Sequence, residues 1–200
     1  MPQSTKGKML KGRDLITVGI FSAIYFVINF IFMLLGIVPI MWILMPALIA
    51  LFTGVPFMLM CAKVQKPGAV ILMGLITGLI YFITGQFTVV ILITFVIGCG
   101  LAELVRCCTK YNSFIGNTVS FACFSIGMIG SPLPIWLFKE SFLAQISEQG
   151  MSADYIASIE TLSSTGVLFL MVAATIVLSF VGAFIAKKLF KKHFTKAGIV

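Results

Sequence analysis

Residues 15–62 read LITVGIFSAIYFVINFIFMLLGIVPIMWILMPALIALFTGVPFMLMCA and contain no Lys, Arg, Asp or Glu. At a rise of about 1.5 Å per residue, one helix of this length would far overrun the ~30 Å hydrocarbon core of a bilayer. The stretch must therefore fold back as a hairpin, and Gly36 and Pro39 supply the turn. The same reasoning applies along the chain. Pro67–Ala102 is also charge-free and needs two crossings, whereas Tyr111–Phe138 and Thr161–Ala186 fit one each. The fold expected is an all-α integral membrane protein, a single domain over residues 1–200 built as a six-helix bundle. Its spans lie at about 15–35, 40–62, 69–84, 87–105, 114–136 and 166–186.

Charge placement orients this bundle. With the N-terminus in the cytoplasm, six crossings return the C-terminus there too, and every Lys and Arg except Lys139 falls on the cytoplasmic side. The only long connection is the outer loop 137–165, which holds Glu140, Glu148, Asp154 and Glu160, four of the six carboxylates. Within it Ser152 precedes apolar Tyr155, Ile156, Ile159 and Leu162, the pattern of a capped amphipathic helix. A partly helical loop of this length suits a lid.

Composition agrees with a membrane protein. The 200 residues are 60% hydrophobic and 10% charged, with a net charge of +8. The mean hydropathy is +1.14. The basic residues hug span ends, which suits orientation and anionic lipid headgroups and argues against nucleic acid. The first apolar run exceeds a signal-peptide core and is expected to remain as span 1. The expected location is the bacterial plasma membrane. Cys61, Cys99, Cys107, Cys108 and Cys123 lie outside the long outer loop, so no disulfide framework is expected. Cys107–Cys108 lacks His or carboxylate partners at ligand spacing, and no metal or cofactor is expected.

Mid-span ionisable residues are absent, and the single histidine, His193, lies in the C-terminal tail. A proton-coupled pump or a histidine-dependent intramembrane hydrolase would need such groups at depth. No G-x-x-x-x-G-K-[ST] segment is present to cradle ATP. The expectation is a non-enzyme that needs an external motor for active transport. Pro46 and Pro56 inside span 2 remove backbone donors and predict a kink or local opening. Glu103 and Arg106, one helical turn apart, predict an interfacial pair.

Two constellations remain. Small residues recur at four-residue spacing as Gly19 and Ala23, Gly74 and Gly78, and Gly182 and Ala186. They permit close helix approach, either within the bundle or, for Gly19/Ala23, to another protein. On the stated topology Asn29, Trp42, Tyr81, Thr84, Gln86, Trp136, Lys139 and Glu140 gather in the outer half. They are read as substrate-binding residues of an outward-opening pocket. The plain alternatives are an aromatic belt for Trp42 and Trp136, interhelical bonding for Asn29 and Gln86, and a local Lys139–Glu140 pair.

Three segments resemble a known family: Asp14-Leu-Ile-Thr-Val-Gly-Ile-Phe-Ser-Ala-Ile-Tyr-Phe-Val, Val55-Pro-Phe-Met-Leu leading to Lys63-Val-Gln-Lys66, and Lys187-Lys-Leu-Phe-Lys-Lys-His-Phe-Thr-Lys-Ala-Gly-Ile-Val. The chain is similar to the Trep_Strep, or MptD-like, family of substrate-binding S components of energy-coupling factor (ECF) transporters. That resemblance implies a six-helix subunit that captures a vitamin-like micronutrient outside the cell. It implies as partners a transmembrane coupling protein and two cytoplasmic ATPases. It also implies docking through an A-x-x-x-A pattern on span 1, whose positions here are Gly19 and Ala23. The alternative reading is a stand-alone membrane channel or passive facilitator.

Overall fold

A computed structural model describes residues 9–84 and 88–190. Among them the chain forms nine α-helices and no strand. Four of these are long and apolar enough to cross a membrane: α1 (Gly12–Leu34, extended by a 3₁₀ turn at Leu35–Ile37), α2 (Pro39–Lys63), α4 (Val89–Cys108) and α9 (Thr165–Leu189). Two apolar helices are shorter, α3 (Ala69–Ile83) and α5 (Phe114–Ile126), the latter continued by a 3₁₀ segment Gly127–Gly130. The segment between α5 and α9 folds as three short helices, α6 (Pro134–Leu137), α7 (Lys139–Glu148) and α8 (Ala153–Thr161).

Local chemistry sets these boundaries. Thr88, Ser113, Ser152 and Ser164 each accept a backbone N–H of the first turn that follows, which satisfies a donor with no intrahelical partner. Gly68, at φ +86°, takes the left-handed conformation immediately before α3, and Pro39 occupies the first turn of α2. The expected opening of span 2 does not occur. α2 runs as one continuous helix through Pro46 and Pro56, and both prolines are buried among neighbouring helices.

Span 5 leaves the α-helical path at Gly127, ahead of the prolines Pro132 and Pro134. There the backbone tightens because it lies directly on α4. A Cβ on Gly127 would fall 2.6 Å from the Phe95 ring, and the Thr94 hydroxyl donates to the Gly127 carbonyl at 2.9 Å.

α2 is the axial helix. It is apolar around its circumference, as a helix enclosed on all sides must be, and 72% of its spanning window is buried, against 17% for α1. Its closest neighbour is α9. A Cβ on Gly54 would lie 2.5 Å from the Gly182 carbonyl carbon, and one on Gly182 would lie 2.5 Å from the Leu51 oxygen. The two backbones therefore touch where neither helix carries a side chain. This accounts for the small residues expected in span 6. Gly74, in α3, packs on the Cys99 side chain in the same way, while Gly78 faces open space.

The basic ends of the helices meet at one pole. Asp14 pairs with Lys66 at 2.6 Å, which ties the start of α1 to the α2–α3 turn. Glu103 accepts from the Gly68 and Val70 N–H groups at 2.7 and 3.2 Å, so its carboxylate caps α3 from α4. Arg106, fully buried, donates to the Val64 carbonyl at 2.7 Å and to Asn117 Oδ1 at 3.2 Å. Lys187 sits 4.5 Å over the Phe114 ring. The expected Glu103–Arg106 pair is absent from the ion pairs of the described residues. Each side chain instead meets backbone or amide groups from another helix, where an orphaned polar atom would otherwise be buried.

Replacing Gly54 or Gly182 by Val is expected to lower stability by about 1–3 kcal/mol or more, because backbone contact leaves no room to repack. Gly19→Ala and Gly78→Ala are expected to stay within about 0.5 kcal/mol. Thermal unfolding in detergent separates the two classes. In the same assay Glu103→Leu, which strips the buried Val70 N–H and the part-buried Gly68 N–H of their acceptor, is expected to cost about 1–3 kcal/mol, with Glu103→Gln retaining much of the loss.

Candidate ligand-binding site

At the pole opposite the basic cluster, α7 and α8 fold over the ends of α1, α2 and α9. The apolar face of α8 directs this: Ile159 is 0% exposed, and Leu162 packs with Ile43 and Met171. Trp42 of α2 stacks on Phe142 of α7 at 5.4 Å between ring centroids and 18° between planes. The Tyr155 hydroxyl of α8 donates to the Gly36 carbonyl in the α1–α2 turn at 2.8 Å. Partial burial raises the Tyr155 phenol above its ordinary value, so it stays protonated and able to donate at physiological pH. The Trp136 indole N–H donates to the Ser164 carbonyl at 3.0 Å and pins the α8–α9 junction.

Joined to this cover through Trp42 is a half-enclosed cavity of about 200 Å³. Phe30, Trp42 and Tyr81 supply aromatic wall, Met33, Met45 and Met128 supply thioether wall, and Ser131 supplies a hydroxyl. Tyr81 is held from behind. Its hydroxyl donates to Asn29 Oδ1 at 3.1 Å, and the Asn29 amide donates to the Tyr25 carbonyl at 2.7 Å. Phe26 meets the Tyr81 ring edge-on at 6.0 Å, which fixes the ring against rotation. A larger groove of about 520 Å³ runs between α3 and α4 and shares Tyr81 and Ile91 with the first cavity. Its other walls are apolar, aliphatic at Leu75, Leu79 and Val96 and aromatic at Phe82 and Phe95, so it lacks the convergent polar groups that orient a ligand.

The residues expected to bind substrate are thus dispersed. Trp42 and Tyr81 line the cavity and Asn29 supports Tyr81. Thr84 is exposed and donates to its own helix at Ile80. Trp136, Lys139 and Glu140 stand outside the cavity wall, and Gln86 lies outside the described residues. Lys139 does not take the local partner Glu140; it pairs with Glu160 across α7 and α8 at 3.2 Å. Both groups are about half exposed, so the bridge contributes little stability and serves to register the two helices. Phe30, Ser131 and the three methionines escaped sequence reasoning, because such residues read as ordinary packing until a cavity groups them.

On α1, Ala23 is exposed, and an added Cβ on Gly19 would meet nothing within 4 Å. Ile16, Ile20 and Ile24 continue the same open apolar face.

The Tyr81–Asn29 bond is testable directly. Tyr81→Phe is expected to cost about 0.6–1.7 kcal/mol, the range of interhelical hydrogen bonds in bilayers. Combining it with Asn29→Leu is expected to cost less than the sum of the single changes in thermal unfolding, because both remove the same bond.

Comparison with known proteins agrees with these helical features. The model of a family described as "Hypothetical bacterial integral membrane protein (Trep_Strep)" matches residues 12–196. No curated protein and no solved structure matches the chain. With nearly its whole length matched, the chain belongs to the Trep_Strep family of bacterial integral membrane proteins.

Proposed function

We propose that this protein is the substrate-capture S subunit of an ECF-type importer, binding a small micronutrient outside the cell for ATP-driven uptake by partner proteins. The observation that carries this reading is the cavity itself: a small aromatic and thioether-lined site at the pole away from the basic cluster, whose Trp42 wall stacks on Phe142 of α7. In this reading α1, α2, α3, α4, α5 with its 3₁₀ extension, and α9 make six crossings of the plasma membrane, with both termini in the cytoplasm. The shorter α3 and α5 cross where neighbouring helices and a locally thinned bilayer meet them.

The protein acts as a binding subunit, without chemistry of its own. Its partners are a transmembrane coupling protein and two cytoplasmic ATPases. The side of α1 that presents Gly19 and Ala23 is the docking face, and its exposure and small side chains support that role. The basic pole faces the ATPases.

The test is co-expression with a coupling protein and its ATPases, followed by affinity purification and native mass spectrometry. The four-part complex is expected to co-purify, and Ala23→Trp is expected to abolish it while the isolated chain keeps its fold and any co-purified small molecule. Undiminished complex formation by Ala23→Trp removes the docking assignment. A chain that never joins such a complex, yet equilibrates a solute across vesicles by itself, is a passive facilitator.

A further inference from the structure

We propose that the cavity walled by Trp42 and Tyr81 takes an uncharged aromatic molecule of one or two rings that carries an N–H or O–H donor. This rests on the capture reading above and narrows it to a chemical class. Size sets the first limit. The cavity of about 200 Å³ lies below the ~300–1,000 Å³ of pockets for drug-sized ligands. At the ~0.75 packing density of protein interiors, it is filled by roughly 150 Å³ of ligand, a small ring system.

Wall chemistry sets the second limit. Three aromatic rings and three thioethers present polarisable surface, which favours a flat π system over an aliphatic chain.

Charge sets the third. No wall residue is an Asp, Glu, Lys, Arg or His, so none carries a charge at neutral pH. On the α7–α8 cover Lys139 is already engaged by Glu160, and Glu140 is exposed on α7. An ammonium or carboxylate group entering this cavity would shed water and meet no counter-charge, whereas a neutral ring loses little.

Hydrogen bonding sets the fourth. Tyr81 donates to Asn29 Oδ1 at 3.1 Å, with the Met128 thioether a weaker alternative acceptor at 4.0 Å, so with its proton on Asn29 the oxygen meets a cavity ligand as an acceptor. The Ser131 hydroxyl has no hydrogen-bond partner among the described residues and is free to accept or donate. A ligand that brings a donor also uses the acceptor lone pair of Tyr81, and one without a donor leaves that lone pair unused.

The experiment measures binding to the full chain in phosphatidylcholine nanodiscs at neutral pH, with empty nanodiscs subtracted. The probes are benzimidazole, 1-methylbenzimidazole, the 1,3-dimethylbenzimidazolium cation and the benzimidazole-5-carboxylate anion. Benzimidazole is expected to bind saturably at one per chain, with both ions at least about tenfold weaker. The 1-methyl compound, lacking a donor, is expected to be weaker by about fivefold or more. Met45→Trp, which fills the cavity, is expected to abolish benzimidazole binding. Should that variant fail to fold, Tyr81→Phe is expected to erase the preference for benzimidazole over its 1-methyl analogue.

The proposal is overturned if benzimidazole does not bind saturably, if either ion binds as well, if the 1-methyl compound matches benzimidazole, or if a folded Met45→Trp binds unchanged. Preference for an ion that is lost in Met45→Trp overturns the ligand class and leaves the capture reading standing. Benzimidazole binding by a chain that joins no coupling complex preserves the ligand class and removes the capture reading.

Discussion

Backbone contact between Gly54 and Gly182 is the constraint on which the architecture depends. Inside a bilayer the surrounding lipid is as apolar as a leucine side chain, so burial alone does not hold helices together. Close approach does, because dispersion gains fall steeply with distance. At this crossing α2 and α9 come as near as their main chains allow. α1 and α5 also pack on α2, and its two internal prolines, both buried among these neighbours, leave the helix unbroken.

From this axis the two poles diverge in chemistry. One is secured by charge: Asp14 with Lys66, Glu103 on the α3 N-terminus, and Arg106 on Val64 and Asn117. These are strong, directional contacts in a shielded setting, and they join α1, the α2–α3 turn, α4 and α5. The other pole is joined by an indole stacked on a phenylalanine, single neutral hydrogen bonds from Tyr155 and Trp136, and one exposed ion pair. Such contacts are individually weak, so segments that open locally are drawn from this end. The cavity shares this end of the bundle through Trp42, the ring on which α7 stacks.

Much of this was legible in the residues. Charge-free runs, glycine and proline breaks, and serine caps mark the helices. Ser152 with its apolar followers located α8, and the small residues of α3 and α9 announced close packing at Gly74 and Gly182. The site was legible only in part. Trp42, Tyr81 and Asn29 do gather, but Trp136 turns to Ser164 and Lys139 to Glu160. Those two partners lie far along the chain, and no local spacing rule reaches them. Glu103 and Arg106 failed in the reverse sense. Their spacing of three suggested each other, yet unsatisfied backbone groups on adjacent helices outcompeted the pair.

The amino-acid sequence alone determined that this chain is a bundle of apolar helices with a basic pole and an acidic, amphipathic connection between α5 and α9. Those properties depend on composition and on periodicity within single segments, where the cost of exposing backbone to lipid leaves the helix as the available answer. Which side of each helix faces its neighbours was decided by the tertiary structure. A soluble helix advertises its inner face through amphipathicity, but a helix passing between lipid and protein is apolar on both sides and carries little such signal. Only packing, set by where two glycines let backbones meet, turned Met33, Met45 and Met128 toward a cavity and gave Tyr81 its asparagine.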